Sequence, residues 1–315
     1  MLLKLKKTLS SLERRRHDNL MKVLVTGANG FIGVNIVHHI LEVYPNWSLT
    51  CLVKSSQDNI PDHVKVIKHD LNQPLDCIDE PFDVCVHAAA CPSSRDCIKN
   101  PSLGIQNIIQ TYNVLEFCRR VHVPKLIFMS SCEVYGRGSD NLKETDLLYS
   151  VNMYGASKVA GEHICAAYAR SYGMQCIALR IMNTWGPYCQ KERFASIVER
   201  AFETQECPHF VIETMARKRW IHVKNLAQKT TDLMRAEWTE PFDVFNVVGD
   251  ENVTLEEFIS RFGLNFTVEY NLKTLENGYE PGFNADGTKL THFLDSVRHV
   301  LSVQDHPATY NDICP

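Results

Sequence analysis

The stretch VLVTGANGFIG, residues 23–33, joins a short β-branched run to an apolar pattern of helical spacing through three glycines. Gly27, Gly30 and Gly33 follow a GxxGxxG spacing, which differs from the GxGxxG of the usual dinucleotide fingerprint. Glycines permit a tight turn and a close approach of backbone to pyrophosphate, and the helix N-terminus supplies N–H groups to the anion. The stretch therefore predicts the first βαβ unit of a dinucleotide-binding sheet. The cofactor contacts expected here are Gly27, Asn29, Gly30, Phe31, Ile32 and Gly33.

The chain beyond this loop alternates between strand-like and helix-like segments. Apolar runs of strand length are LTCLVK, VKVIKHD, DVCVHAAA, KLIFMSS and MQCIALRI, and helical spacing covers residues 103–120 and 153–172. Such alternation predicts an α/β fold with a doubly wound, mostly parallel Rossmann-type sheet and helices on both faces. After Gly186 the regular alternation of strand-like and helix-like segments ends, which indicates a smaller, interleaved C-terminal region.

The expected domain organisation has three parts. Residues 1–20 form a basic extension, residues 21–186 with parts of 219–250 form the dinucleotide-binding domain, and residues 187–218 and 251–315 form the substrate-binding region. The extension carries six Lys or Arg residues against two acids, and we expect it to be solvated. A targeting peptide or a membrane-surface helix is the alternative.

Composition argues against several classes of protein. The 315 residues are 44% hydrophobic and 22% charged with a net charge of −4, which gives no reason to expect a nucleic-acid partner. No apolar run reaches the roughly 18 residues of a membrane span, so no membrane association is expected. The twelve cysteines are scattered without a CxxC pair. We therefore expect free thiols in a reducing, cytoplasmic setting, and no metal site.

The end of the second predicted strand bears on the choice of cofactor. An acid there favours NAD, whereas a basic residue accommodates the 2′-phosphate of NADP. Residues 52–56 read LVKSS, so NADP is favoured over NAD, with Lys54 and Ser55 as contacts. The other expected cofactor contacts are Asp70, Leu71, Ala88, Ala89 and Ala90.

The sequence MYGASK places Tyr154 and Lys158 four residues apart, on one face of a helix. A lysine ammonium beside a phenol stabilises the phenolate and lowers the pKa of the tyrosine. Such a tyrosine takes a proton from an alcohol while a nicotinamide takes the hydride. Both residues are therefore expected to serve in catalysis and to contact the cofactor.

GANGFIG, SSCEVYG, YGASK and LRIMNTWGP together resemble the extended short-chain dehydrogenase/reductase family, which is rich in nucleotide-sugar enzymes, over residues 21–250. The resemblance implies that Ser131 acts with Tyr154 and Lys158. It also implies a nucleotide-sugar substrate, a tightly bound NADP or NAD that is recycled, and a homodimer paired through a four-helix bundle. The implied substrate contacts are Ser93, Asn183, Arg217, Lys218 and Arg219.

The pair Cys132-Glu133 within SSCEVYG distinguishes among the activities of that family. Nucleotide-sugar 4,6-dehydratases carry an Asp-Glu pair there, and the resemblance to them implies oxidation at C4, removal of the C5 proton by Glu133, loss of water across C5–C6 and hydride return to C6. The expected substrate is UDP-N-acetylglucosamine, or dTDP- or UDP-glucose. UDP-glucuronate decarboxylases, with Ser-Glu, are the runner-up, followed by nucleotide-sugar 4-epimerases. A non-catalytic NAD(P)-binding sensor is the alternative from another class.

Two residues depart from the family pattern. Cys132 replaces the aspartate expected to protonate the departing hydroxyl. Three interpretations follow: Glu133 shuttles the proton alone, Cys132 reprotonates C5 with C5 epimerisation, or Cys132 only fills space. Glu280 stands where many members have a diphosphate-binding arginine, so the basic cluster at 217–219 is expected to bind the diphosphate instead.

Overall fold

The computed structural model of the chain describes residues 20–136, 141–191, 193–212, 217–263, 265–270 and 284–302. The expectations for residues 1–19 and for Glu280 lie outside the described residues.

Strands and helices alternate along the first two thirds of the chain. The strands in the described part are β1 Lys22–Thr26, β2 Ser48–Val53, β3 Lys65–Lys68, β4 Val84–His87, β5 Lys125–Ser131, β6 Gln175–Ile181, β7 Asn183–Trp185, β8 His209–Ile212, β9 Lys218–His222, β10 Phe242–Val247, β11 Glu251–Val253 and β12 Thr267–Tyr270. The α-helices are α1 Phe31–Val43, α2 Ser94–Lys99, α3 Ser102–Arg120, α4 Met153–Tyr172, α5 Phe194–Thr204, α6 Val223–Arg235, α7 Leu255–Ser260 and α8 Thr288–Ser302, and a 3-10 turn covers Cys132–Val134.

Seven strands form one sheet in the order β10-β6-β5-β4-β1-β2-β3, and every neighbouring pair is parallel. Parallel sheets are covered on both faces, so their central strands read as continuous apolar runs rather than as alternating patterns. Strand β5, KLIFMSS, is of this kind and is buried at six of its seven positions. The predicted α/β fold with a doubly wound Rossmann-type sheet is confirmed.

Helices cover the sheet on both faces and build a separate apolar core on each. Ile36 of α1 and Leu226 of α6 pack on one face with strand residues such as Val25. On the other face, Leu115 of α3 packs with Phe128 of β5. Each of these side chains is at most 1% exposed, so both layers are closed to water.

The strand order reverses at β1, because the chain runs outward through β2 and β3 and then returns to the other side of β1 as β4. In sheets of this type, ligands bind in the crevice outside the carboxyl ends of the strands at that switch point. The last residues of the two strands, Thr26 and His87, lie side by side. The glycine-rich loop and residues 88–90 follow them directly and border the crevice.

Two small sheets lie next to the carboxyl ends of the main sheet, with strand orders β11-β9-β7 and β12-β8. They surround an aromatic cluster in which Trp220 stacks on Phe258 with ring centroids 4.4 Å apart. Trp185 of β7 meets Phe258 edge-on at 5.5 Å. Because β7 begins two residues after β6 ends, the cluster is anchored beside the sheet. The division of the chain into domains stays a prediction.

None of the helices in the described residues combines the length and the apolarity needed to cross a membrane.

Candidate active site

The glycine-rich loop lies against the loop that follows β4. Gly27 has a φ of +65°, and a Cβ added to it would lie 2.6 Å from the Ala89 Cα. A Cβ on Gly33 would lie 2.2 Å from the Gly27 carbonyl oxygen. Both positions therefore require glycine, the first for its backbone conformation and both for the close approach. Gly30, at the N-cap of α1, has no side chain to offer, so backbone N–H groups of the first turn remain available to an anion.

The predicted adenosine contacts lie together at the ends of β2 and β3. The Lys54 ammonium forms an ion pair with Asp70 at 3.1 Å, and both side chains are exposed. Asn29 donates to the Ser56 carbonyl at 2.9 Å and so ties the glycine loop to the end of β2. A hydrogen bond from the Asn72 backbone, with further help from Lys54, lowers the pKa of Asp70.

The remaining predicted cofactor residues differ in what they offer. Ser55 is exposed beside Lys54. The Leu71 side chain is buried in the core, and its carbonyl accepts a hydrogen bond from Asn113 at 2.8 Å. Leu71 therefore offers at most its backbone to a ligand. The preference for NADP over NAD stays a prediction.

A cavity of about 340 Å3, which we call the inner cavity, runs from the glycine loop to the end of β5. It joins the predicted cofactor site to the predicted catalytic residues. Its lining includes Gly30, Phe31, Ile32, Gly33, Ala88, Ala90, Ser131, Cys132, Glu133, Tyr154, Asn183 and Arg193.

Helix α4 and strand β5 bring Tyr154, Lys158 and Ser131 together. Tyr154 and Lys158 are 8% and 5% exposed, and the lysine Nζ lies 5.8 Å from the centroid of the tyrosine ring. Nζ donates to the Met129 carbonyl at 2.7 Å. Burial lowers the pKa of Lys158 to about 8.

Burial also has the largest effect on the pKa of Tyr154. It raises the pKa of Tyr154, and this effect outweighs a hydrogen bond with Ser131 and the positive charge of Arg193, which both act to lower it. We expected Lys158 to lower this pKa. In the structure the lysine ammonium donates to the Met129 carbonyl, and the cation whose charge acts most to lower the pKa of Tyr154 is Arg193.

Glu133 lies in the 3-10 turn after β5, and its side chain lines the inner cavity. The Ser131 hydroxyl oxygen accepts a hydrogen bond from the Glu133 backbone N–H at 3.2 Å. The Asn152 amide donates to Glu133 Oε2 at 2.6 Å. The carboxylate is therefore held by Asn152 at the end of the strand, near enough to Tyr154 for its charge to act on the tyrosine.

Cys132 is half-buried on the same turn. Burial, with a smaller contribution from the negative charge of Glu133, raises the pKa of the Cys132 thiol to about 12. The positive charge of Lys218 and a hydrogen bond with Ser131 act in the opposite direction without cancelling the effect. At neutral pH the thiol keeps its proton and is a weak acid.

A buried ion pair fixes the two elements that carry the catalytic residues. Arg180 of β6 and Glu162 of α4 meet at 2.8 Å, and each side chain is 4% exposed. The Ser130 hydroxyl donates to Glu162 at 2.6 Å, and the Tyr135 hydroxyl accepts from Arg180 at 3.0 Å. Because Ser130 precedes Ser131 and Glu162 lies one helical turn beyond Lys158, the network holds β5 and α4 in register.

A second cavity of about 790 Å3, the outer cavity, shares Glu133, Asn183 and Arg193 with the inner one and extends toward the small sheets. Its lining is rich in positive charge. The cations that line it are Arg95, Lys99, Arg193 and Lys218. Phe194 and Ala195 also line it, at the N-terminus of α5, where the N-cap residue Arg193 makes no side-chain cap.

The structure separates the three predicted basic residues at 217–219. Lys218 lines the outer cavity, where burial lowers its pKa. Arg217 instead forms an exposed ion pair with Glu257 at 2.8 Å. Arg219 donates to the Gly249 carbonyl at 3.4 Å and is not among the residues that line either cavity.

Four further residues line the outer cavity, one of them predicted and three missed. The predicted Ser93 lines it and also caps α2, accepting from the Asp96 N–H at 3.1 Å. Arg193 was missed, although a basic residue just before the amphipathic helix α5 is a visible signal of an anion site. Arg95 and Lys99 were missed for want of any motif.

No cluster of three or more His, Cys, Asp or Glu side chains in the described ranges is placed to hold a metal ion.

These features define a class of protein. A Rossmann-type sheet with a glycine-rich loop at its switch point, with Ser131 and Tyr154 lining the adjoining cavity and Lys158 buried beside Tyr154, is the arrangement of an extended short-chain dehydrogenase/reductase. The family model described as "NAD dependent epimerase/dehydratase family" matches residues 23–247. The chain belongs to this family.

Individual relatives are similar over part of their length. A dTDP-glucose 4,6-dehydratase from Mycolicibacterium smegmatis is 30% identical over 64% of this chain and 65% of its own. A protein from Bacillus subtilis named UDP-glucose epimerase YtcB is 30% identical over 53% of this chain and 58% of its own. The matched region thus spans 58–65% of these two relatives.

Solved structures share the fold. The UDP-glucuronic acid 4-epimerase from Bacillus cereus, in complex with UDP-glucuronic acid and NAD, has a TM-score of 0.75 at 23% identity and covers 87% of this chain and 93% of its own.

Proposed function

We propose that the protein is a nucleotide-sugar 4,6-dehydratase that makes a 4-keto-6-deoxy sugar, with NADP or NAD as a tightly bound, recycled cofactor. The observation that carries the proposal is the position of Glu133. Glu133 lines the same cavity as Ser131 and Tyr154, and its negative charge acts on Tyr154. An enzyme that only moves hydride at C4 has no use for a carboxylate there, whereas elimination across C5–C6 requires a base.

The glycine-rich end of the inner cavity suits the pyrophosphate of a dinucleotide. Gly27 and Gly33 pack without side chains against neighbouring backbone, which keeps the loop close to the sheet and to α1. Gly30, Phe31, Ile32 and Gly33 would hold the pyrophosphate at the N-terminus of α1. Bound NAD or NADP would supply a hydride acceptor for C4 of the sugar and a hydride donor for C6.

The chain's own residues move the protons. Tyr154 takes the proton of the 4-hydroxyl, and its hydrogen bond with Ser131 and the charge of Arg193 favour the ionised form that this requires. Lys158 lies beside the Tyr154 ring on its buried side. The resulting 4-ketone makes the C5 hydrogen acidic, and Glu133 removes it. With its pKa near 12, Cys132 is poorly suited to protonate the departing 6-hydroxyl. We therefore favour Glu133 as the sole shuttle of the C5 proton to the leaving oxygen. When hydride returns to C6, Glu133 passes a solvent proton to the same face of C5, without C5 epimerisation, and Tyr154 releases its proton to solvent.

The nucleotide diphosphate is placed in the outer cavity. Arg193, Lys218 and the uncapped N-terminus of α5 supply the positive charge that a diphosphate needs. This replaces the expected cluster at 217–219, because Arg217 is engaged by Glu257. For the sugar we keep UDP-N-acetylglucosamine, with dTDP- or UDP-glucose as alternatives.

The proposed assembly is a homodimer through a four-helix bundle, in the cytoplasm. Helix α3 leaves an apolar stripe exposed at Ile105, Ile109 and Tyr112, which are 49%, 40% and 48% exposed. Helix α4 packs beside α3 and ends at Tyr172, which is also exposed. Two such pairs of helices would cover the stripe. The cysteines of the described part are all free, in keeping with a reducing compartment.

A second candidate is a UDP-glucuronate decarboxylase. It would need a cation facing the C6 carboxylate of the sugar. Arg193 meets this requirement, because it lines both cavities and its charge reaches Tyr154.

The test is incubation of the purified protein with a panel of UDP- and dTDP-sugars, with NADP or NAD and no added reductant. A product lighter by one water, seen by mass spectrometry, supports the dehydratase. Carbon dioxide release from UDP-glucuronate supports the decarboxylase, and unchanged mass with inverted C4 supports a 4-epimerase. Cofactor binding without turnover of any sugar supports the sensor. The Tyr154→Phe variant is the control that should give none of these products.

A further inference from the structure

The side chain of Asn152 makes two hydrogen bonds of different kinds at the start of helix α4. Its Oδ1 accepts from the Gly155 N–H at 2.9 Å, which caps the helix. Its Nδ2 donates to Glu133 Oε2 at 2.6 Å. One side chain thus joins the helix that carries Tyr154 and Lys158 to the carboxylate in the cavity.

Capping alone does not call for asparagine. Ser, Thr, Asp and Asn serve almost equally well at the N-cap, because each offers an oxygen to the N–H groups of the first turn. Only asparagine adds an amide N–H that can donate at the same time. The second hydrogen bond therefore singles out asparagine among the capping residues.

The backbone around this contact is closely packed. A Cβ on Gly155 would lie 2.5 Å from the Glu133 carbonyl oxygen, so the turn and the helix meet backbone to backbone. The Ser150 hydroxyl donates to the Asn152 carbonyl at 2.9 Å and fixes the residue from the other side. Asn152 and Glu133 consequently have little freedom to separate.

We propose that Asn152 is a positioning residue for Glu133, orienting its carboxylate so that Oε1 is left to take the C5 proton. The proposal rests on the elimination chemistry proposed above. Among the residues described, Asn152 is the one that hydrogen-bonds this carboxylate, so its removal frees the Glu133 side chain to turn.

Other titratable or charged groups also face Glu133, and the test must separate them from Asn152. They come from its own turn, from α2, α4 and β9, and from the N-cap of α5. These groups are Cys132, Cys97, Tyr154, Lys218 and Arg193. None of them changes in the variants below.

The experiment compares Asn152→Ser, Asn152→Asp and Asn152→Ala in the full chain. Serine keeps the helix cap and loses the amide donor. Aspartate keeps the cap and places a second carboxylate against Glu133. Alanine loses both. The readouts are single-turnover reduction of added NAD+ or NADP+ (C4 oxidation), deuterium incorporation from solvent at C5 (proton removal), thermal melting and the pH profile of turnover.

For Asn152→Ser we expect the melting temperature and the rate of C4 oxidation to match the wild type. Deuterium incorporation at C5 should be slower by about 10- to 100-fold, because a misplaced catalytic group reacts more slowly. For Asn152→Asp the acid limb of the profile moves to higher pH, because two adjoining carboxylates resist ionising together. If Asn152→Ser exchanges the C5 hydrogen at the wild-type rate and the pH profile of turnover is unshifted in Asn152→Asp, Asn152 serves only as a helix cap and the proposal is wrong. Absence of C5 exchange in the wild-type protein would instead overturn the proposed function, and the role of Asn152 with it.

Discussion

Replacing Lys158 by methionine should change how the stability of the protein depends on pH. The ammonium of Lys158 is buried beside Met129, and burial lowers its pKa from 10.5 to about 8. Between these two values the unfolded chain binds a proton at this lysine and the folded chain does not. The free energy of unfolding therefore rises with pH in this window, and below pH 8 the cost of burying the charge is constant.

The magnitude follows from the size of the shift. Each pKa unit corresponds to about 1.4 kcal/mol. Titration of Lys158 therefore raises the unfolding free energy by about 3 kcal/mol between the two pKa values, and by about 2 kcal/mol up to pH 9.5. The Lys158→Met variant lacks the titrating group. The difference in unfolding free energy, wild type minus variant, should rise by about 2 kcal/mol between pH 7 and pH 9.5. Thiols such as Cys51 and Cys132, which burial keeps protonated in the folded protein, titrate in this range in the unfolded chain, but they are common to both proteins and cancel in the difference.

Urea unfolding of the cofactor-free proteins at several pH values measures this difference directly. Lys191→Met removes an exposed lysine and serves as the matched control, for which the difference should stay flat. The titratable groups that surround Lys158 are His87, Cys97, Glu162 and Cys165. A Lys158→Met difference that is independent of pH, or that falls as the pH rises, would refute the view that this ammonium is buried at a cost.

Three further predictions test the site. Gly33→Ala should weaken NAD binding on the order of 100-fold in calorimetric titration, because its Cβ would lie 2.2 Å from a loop carbonyl; unchanged affinity would contradict the loop geometry. Arg180→Met should lower the unfolding free energy by about 3–5 kcal/mol, because it leaves Glu162 charged and buried; a loss below about 1 kcal/mol in urea titration would contradict this. Lys218→Ala should raise KM for the nucleotide sugar by about 10-fold or more, whereas Arg217→Ala should not, because it removes only an exposed ion pair; equal effects would contradict the separation of the two.

The fold was predictable because its signals are local. The glycine loop, the uninterrupted strand runs and the spacing of helix 153–172 each depend on neighbours within a few residues. Helix α4 begins and ends at the predicted residues, Met153 and Tyr172. The Tyr154–Lys158 pair was visible for the same reason, since four residues bring two side chains to one face of a helix.

Long-range contacts were not predictable in this way. Asn152 and Glu133 are 19 residues apart, and their hydrogen bond depends on how α4 packs against the turn after β5. Arg193 reaches the cavity only because the chain folds back after β7. Adjacent residues can also diverge: in strand β9 the side chains alternate between faces, so Lys218 enters the outer cavity while Arg219 does not.

The central claim is that the Glu133 carboxylate removes the C5 proton after Tyr154 has served the oxidation at C4. A single turnover of Glu133→Gln in deuterated solvent tests it most directly, with the wild-type protein beside it and the sugar that the panel identifies. We predict that the variant still reduces the added cofactor but loses C5 exchange and water elimination by about 100- to 10,000-fold, the usual contribution of a general base. Elimination at the wild-type rate would contradict the account and move the base to another residue.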